Sequence, residues 1–279
     1  MNHYESVCRS HRLDLPATFN FGRDVVDWFA KDPDKIALIW CDAADCERVL
    51  TFADIARSSN QVANWLAGQG IRQGDRVIVM LPRIPEWQIC LTACFKLGAV
   101  PIPCITMLTV KDIAYRVEHS QAVAVITIAE QCSKFKDHLP ALKAKLVVDG
   151  SMTGWAAHDI TRQCAEDFDA CDLGLEEPAI MYYTSGSTGD PKGVCHPGRS
   201  LYAWRLSARH WLSLGPDDTM WCTADTGWSK AGTSILFGPW SQGSAVLFYD
   251  GPFEARRRFE LIERYGVTVF CAAATELRR

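Results

Sequence analysis

Short runs of unbroken apolar character, separated by stretches with helical spacing, constrain this chain more than any other feature. Residues 76–81 (RVIVML), 122–128, 145–148, 179–184, 219–223, 245–249 and 267–271 read as strands with no polar alternation. A strand apolar on both faces must be covered on both faces, which is the situation of a parallel sheet between helix layers. The intervening segments supply those helices. Thr51-Phe52-Ala53-Asp54 has the form of a capping box, Ile55, Val62, Trp65 and Leu66 make an apolar stripe, and Gly68 and Gly70 end it. Pro85 suits the first turn of a helix over 85–97, and Gly98 its end. Further helices are expected over 110–119, 200–212, 230–240 and 254–265, with 100–104 held extended by Pro101 and Pro103. The fold class is therefore α/β, with layered, mostly parallel sheets flanked by helices. The polar, acidic stretch 149–177 reads as a linker, dividing the chain into a first α/β subdomain with an N-terminal extension (1–177) and a second, incomplete one (178–279).

The second subdomain opens on the segment that carries chemistry. After the apolar run 179–183 come Thr184-Ser185-Gly186-Ser187-Thr188-Gly189-Asp190-Pro191-Lys192-Gly193. Glycines let backbone N–H groups approach phosphate oxygens, hydroxyls add donors, and a lysine adds a mobile positive charge. The order Pro-Lys-Gly excludes a Walker A loop, which needs Gly-Lys-Ser/Thr, and no third glycine opens a helix as in a dinucleotide fold. A triphosphate cradle is expected, with Thr184, Ser185, Gly186, Ser187, Thr188, Gly189, Asp190, Pro191 and Lys192 as ATP-binding residues.

Composition narrows the remainder. A net charge of −4 gives no general attraction to nucleic acid or anionic lipid. The basic run Arg256-Arg257-Arg258 is expected on a solvated helix face, with Phe259, Ile262 and Tyr265 recurring at helical spacing. No apolar run reaches the roughly 18 residues of a membrane span, and the N-terminus has no secretory pattern. The 12 cysteines are scattered and show no paired zinc spacing, so reduced thiols in the cytoplasm are expected, with Cys90 and Cys94 as core residues.

The ordered loop residues, ending in Pro191-Lys192-Gly193-Val194-Cys195-His196, resemble the phosphate loop of the adenylate-forming (AMP-binding) superfamily. Trp221-Cys222-Thr223-Ala224-Asp225-Thr226-Gly227-Trp228 resembles the Asp-x-Gly-Trp turn of its acyl-CoA synthetases. Phe95 to Pro103 resembles the family segment that follows the first sheet-packing helix; the Asp-Thr-Gly-Trp turn, Phe237 to Trp240, Phe248 to Gly251, Tyr265 to Thr268, Ala273 to Glu276 and Asn20 to Asp24 resemble the medium-chain branch and its acetate and benzoate relatives. The resemblance runs from about Phe19 to Arg279. It implies an acyl-CoA ligase that uses ATP, Mg²⁺ and coenzyme A as co-substrate on a small-molecule carboxylate. Lys192 and Thr184 would be the catalytic residues, and Asp225, Gly227 and Trp228 the acyl pocket, with Asp225 bonding local backbone N–H groups. His196 would organise the substrate side of the loop, and residues 106–109 could approach the thiol-bearing cofactor. The superfamily's Tyr-Gly-x-Thr-Glu segment, later β-barrel subdomain and C-terminal lid domain have no counterpart here, and Thr275-Glu276 lacks the preceding Tyr-Gly. Self-association through surface left by a missing lobe is therefore expected. The alternative is a catalytically silent module that binds a nucleotide or a partner.

Overall fold

The computed structural model describes residues 3–10, 14–185 and 189–278. A short helix α1 (His3–Ser10) precedes a helical segment Gly22–Asp27 and the hairpin β1 (Ile36–Asp42)/β2 (Glu47–Thr51). Thr51 then caps α2 (Phe52–Gly68), and both bonds of the capping box with Asp54 are formed. From there β3 (Arg76–Met80), α3 (Pro85–Leu97), β4 (Val100–Pro103), α4 (Val110–Ser120), β5 (Ala124–Thr127), β6 (Ala144–Val147) and β7 (Ala156–Ala157) alternate as the apolar runs require. The five strands of this part form a wholly parallel sheet in the order β4-β3-β5-β6-β7. Gly98 closes α3 at φ +73°, the left-handed conformation that ends helices.

The second half adds the antiparallel pair β8 (Pro178–Thr184)/β9 (Lys192–Pro197), α5 (Gly198–His210) and β10 (Thr219–Cys222). Next come the abutting helical segments Ser229–Ala231, Gly232–Phe237 and Gly238–Ser241, then β11 (Ala245–Asp250), a helix Ala255–Arg264 and β12 (Val269–Cys271). A second five-stranded sheet has the order β12-β10-β11-β1-β2. Its strands are parallel except for the β1/β2 hairpin. The boundary between 1–177 and 178–279 therefore does not separate the sheets: β1 and β2 leave the first segment and pair against β11. Local periodicity cannot show such a partnership, and the charged Glu47 and Arg48 hide β2 among polar residues.

One apolar core joins the two sheets, and α3 lies within it. Every residue from Pro85 to Lys96 except Glu86 is buried, so α3 is covered on all sides. Trp87 packs against Phe248 of β11 at 6.0 Å between ring centres, and Phe95 meets Phe21 and Phe237. Burying each such ring stabilises the fold by about 1.5–3 kcal/mol. Cys90 and Cys94 are packed there as expected.

The same helix carries an ammonium group that sequence reading passed over. Lys96 is fully buried, and its Nζ donates to Asp27 Oδ1 at 2.6 Å, Asn60 Oδ1 at 2.5 Å and the Ala56 carbonyl at 3.3 Å.

The helix Ala255–Arg264 differs from its expected face. Leu261 is its buried residue, while Phe259 is 73% exposed. Of the arginine run only Arg256 is freely solvated. Arg257 pairs with Asp45, and Arg258 turns inward over the rings of Trp221, Tyr249 and Phe253.

Candidate functional site

The phosphate-loop residues sit at the tip of the β8/β9 hairpin. Thr184 and Lys192 are register partners, followed inward by Tyr183 with Gly193 and Tyr182 with Val194. Both ends of the expected loop are thus strand residues that close the hairpin. Ser185, Gly189, Asp190 and Pro191 belong to the tip; Gly186, Ser187 and Thr188 lie outside the described residues. Gly189 adopts φ +102°, a conformation that side-chain-bearing residues rarely take. Lys192 is exposed, and its side chain has no hydrogen bond or ion pair among the described residues, so its ammonium is available to an anion.

The tip is held from α4. Tyr115 donates its hydroxyl to the Pro191 carbonyl at 3.0 Å. His119 Nδ1 lies 2.8 Å from the Tyr183 hydroxyl, and the Arg116 guanidinium stacks 5.0 Å over the Tyr183 ring. Sequence reading missed Tyr115 and Arg116 because nothing local ties α4 to a hairpin so far along the chain. Burial pushes the Tyr183 hydroxyl above its ordinary pKa.

A cleft of about 350 Å³ opens beside the hairpin, lined by Arg116, Tyr183, Thr184, Ser185, Gly227 and Trp228 among others. Gly227 and Trp228 bring the 225–228 turn to this cleft. A Cβ on Gly227 would lie 2.4 Å from the Ile105 nitrogen and 2.8 Å from the Cys104 carbonyl carbon, so only glycine lets the turn pack on that backbone. Thr226, not singled out in the sequence, anchors the turn by donating to the Leu81 carbonyl at 2.6 Å. Asp225 takes a different part from the expected one. Its carboxylate accepts the Thr226 hydroxyl, while its backbone carbonyl accepts the Trp228 N–H.

Trp228 is 62% exposed and, with Ile105, lines both this cleft and a neighbouring one of about 520 Å³. The neighbour is lined by Arg83, Met107, Cys222, Asp225, Lys230, Cys271 and Glu276, together with small apolar residues. Glu276 accepts the Thr223 hydroxyl at 2.5 Å and forms an ion pair with an Arg258 nitrogen at 2.9 Å. Thr275-Glu276 is thus bound within this chain's own cleft.

Two other expected residues are positioned differently. His196 pairs in register with Ile180, and its ring packs against Tyr182 and Trp204; burial holds its pKa below the ordinary imidazole value. It lines neither cleft. Thr109 is the N-cap of α4 in a second capping box with Asp112, whereas Ile105, Met107 and Leu108 face the clefts. Among the described residues no three His, Cys, Asp or Glu side chains come together as metal ligands, and no helix is long and apolar enough to cross a membrane.

The molecule is thus an α/β fold with two five-stranded sheets and a hairpin whose Thr184 and Ser185 line a cleft with Tyr182, Tyr183 and Trp228. The family described as AMP-binding enzyme matches residues 25–279, and this chain belongs to it. Human acyl-coenzyme A synthetase ACSM3, mitochondrial, is 35% identical over 291 aligned residues, covering 99% of this chain and 50% of that protein. Rat ACSM4 is 34% identical, covering 100% and 50%. The chain spans about half the length of the curated relatives it matches. A crystal structure of Brucella canis acyl-CoA synthetase superposes with a TM-score of 0.89 at 26% identity, covering 100% of this chain and 53% of that one. Acetoacetyl-CoA synthetase from Streptomyces lividans shares the fold, with a TM-score of 0.86.

Proposed function

We propose that this chain supplies the triphosphate-binding and part of the acyl-binding machinery of an AMP-forming acyl-CoA ligase acting on a medium-chain or related carboxylate. The single observation that carries the reading is the hairpin tip. Thr184 and Ser185 line a cleft together with Gly227 and Trp228, and Lys192 is the register partner of Thr184, which supports the reading. In the first step the substrate carboxylate attacks the α-phosphorus of ATP and expels pyrophosphate, leaving an acyl-adenylate. In the second, the coenzyme A thiol attacks the acyl carbon and AMP departs.

Charge concentrates on the phosphates in the first step. Hydroxyls of Thr184 and Ser185, with Ser187 and Thr188, would donate to them, as would backbone N–H groups around Gly186, Gly189 and Asp190. Pro191 would stiffen the return of the loop, and Lys192 would hold the departing pyrophosphate. Asp225, Gly227 and Trp228 would seat the acyl group. Mg²⁺ would arrive on the ATP phosphates. The described residues assemble no carboxylate cluster to hold it independently, so no step of this chain is assigned to it.

ATP–pyrophosphate exchange with octanoate or benzoate tests the reading. Lys192→Ala is expected to lower the exchange rate by about 10²–10³-fold, roughly 2.7–4 kcal/mol, with a smaller change in ATP affinity. Unchanged exchange in that variant would remove Lys192 from the mechanism. The second reading is a silent module that binds a nucleotide or a partner. ATP binding without exchange by the 279-residue chain selects it. We also place the chain in the cytoplasm on its 12 unpaired cysteines, whereas the human relative is named mitochondrial; fractionation of the tagged protein separates the two.

A further inference from the structure

Two cysteines that the ligase chemistry does not use face each other in the wall of the larger cleft. Cys222 ends β10 and Cys271 ends β12; these strands are parallel neighbours, and the two residues are register partners. Register partners point to the same face of a sheet, with backbones about 4.7–4.9 Å apart. That lies within the roughly 4.4–6.8 Å of Cα separation that a disulfide spans. Both residues line the 520 Å³ cleft.

The surroundings are those of a reactive thiol rather than a packing one. Lys230 lines the same cleft as both thiols, and the buried Ser234 hydroxyl has no hydrogen-bond partner. Interaction with Cys222 and the positive charge of Lys230 hold Cys271 below the ordinary thiol pKa, while interaction with Cys271 and burial push Cys222 up. Cys90, Cys94 and Cys104 are instead driven up by burial alone or nearly so.

We propose that Cys222 and Cys271 form a dithiol site that reduces a hydroperoxide entering the cleft and closes to a disulfide across β10 and β12. The Cys271 thiolate, stabilised by Lys230, attacks the outer peroxide oxygen. The O–O bond breaks, Cys271 becomes a sulfenic acid, and the alkoxide or hydroxide leaves and takes a proton. The Cys222 sulfur then attacks the sulfenic sulfur and displaces hydroxide, which leaves as water with the Cys222 proton. In sum two thiols and one hydroperoxide give one disulfide, one alcohol (water, for hydrogen peroxide) and one water, with two electrons passing from sulfur to oxygen. The product removes the thiolate beside Lys230 and ties together two strands that form the cleft wall with Thr223 and Asp225. Peroxide would thereby reshape the cleft without touching the phosphate hairpin.

The test uses the whole chain, reduced and freed of reductant, then given one equivalent of hydrogen peroxide, alkylated at intervals and mapped by mass spectrometry. The expected result is a Cys222–Cys271 linked peptide that forms at least about tenfold faster than oxidation of the exposed Cys46 or Cys195, as a thiolate outpaces a thiol. Dithiothreitol should reverse it. In Cys222→Ser the reaction should stop at a Cys271 sulfenic acid that dimedone captures. Oxidation of Cys271 no faster than of Cys46 overturns the proposal, as does a wild-type chain that accumulates Cys271 sulfenic acid with Cys222 still free. Both decisive readings come from the wild-type chain, so neither depends on a variant folding.

Discussion

Removing either partner of the Lys96–Asp27 pair should destabilise the fold, but by unequal amounts, and the inequality follows from burial. The Lys96 side chain is 0% exposed and the Asp27 side chain 32%. In Lys96→Met the methionine keeps most of the aliphatic volume, and Asp27 can turn its charge to water. The loss is then mainly the charge-assisted hydrogen bonds, about 1.5–3 kcal/mol. In Asp27→Asn the ammonium stays sealed in the core with only neutral acceptors, Asn60 Oδ1 and the Ala56 carbonyl, which costs about 3–5 kcal/mol.

The pH dependence provides a second arm. Burial already lowers the Lys96 pKa, opposed by the attraction of Asp27; without Asp27 it should fall further. Between that folded value and the unfolded one the unfolded chain binds more protons, so stability rises with pH. The deficit of Asp27→Asn should therefore shrink as pH is raised from neutral toward the ordinary lysine value of 10.5. Urea unfolding followed by both far-ultraviolet circular dichroism and tryptophan fluorescence measures each variant. The reasoning is refuted if Lys96→Met proves as costly as Asp27→Asn, or if the Asp27→Asn deficit does not respond to pH.

Gly227→Ala would force a Cβ to 2.4 Å from the Ile105 nitrogen; we expect a loss of about 1–3 kcal/mol in urea and weaker quenching of tryptophan fluorescence by bound substrate. Trp240→Phe should cost about 1–3 kcal/mol, because it removes the buried 3.0 Å bond from Nε1 to the Ala37 carbonyl, and a thermal melt reads it. Hydrogen bonds from the Thr109 side chain and backbone hold the Asp112 carboxyl below its ordinary value of 3.8. A depressed carboxylate stabilises the fold above its unfolded pKa and loses that contribution as pH falls through the folded one. Asp112→Asn should thus melt earlier than wild type at neutral pH, and the two curves should converge in acid below that value.

The sequence revealed whatever is decided within a turn or two of chain. The run RVIVML became β3, Pro85 and Gly98 bracket α3, and Thr51 with Asp54 caps α2, because dihedral preference and hydrogen-bond reach are local matters. The strand 179–184 that feeds the glycine- and hydroxyl-rich segment was legible, but β9 (Lys192–Pro197), which pairs back on it, was not expected. What stayed hidden depends on partners far away. Tyr115 matters because Pro191 arrives beside it, Thr226 because Leu81 does, and Arg258 because Trp221 and Glu276 do. Phe259 misled because a helical period identifies two candidate faces, and only tertiary packing chooses Leu261.

The partnership of Leu38 with Val246 has a consequence for synthesis on the ribosome. The β1/β2 hairpin is made before the other strands, yet the strand that covers its open edge emerges only after β3 to β10 have been translated. Until then an apolar ribbon with unpaired amides must wait, which is the condition that slows folding and invites chaperones or misassembly. A release of the nascent polypeptide before β11 would leave that ribbon without its natural neighbour.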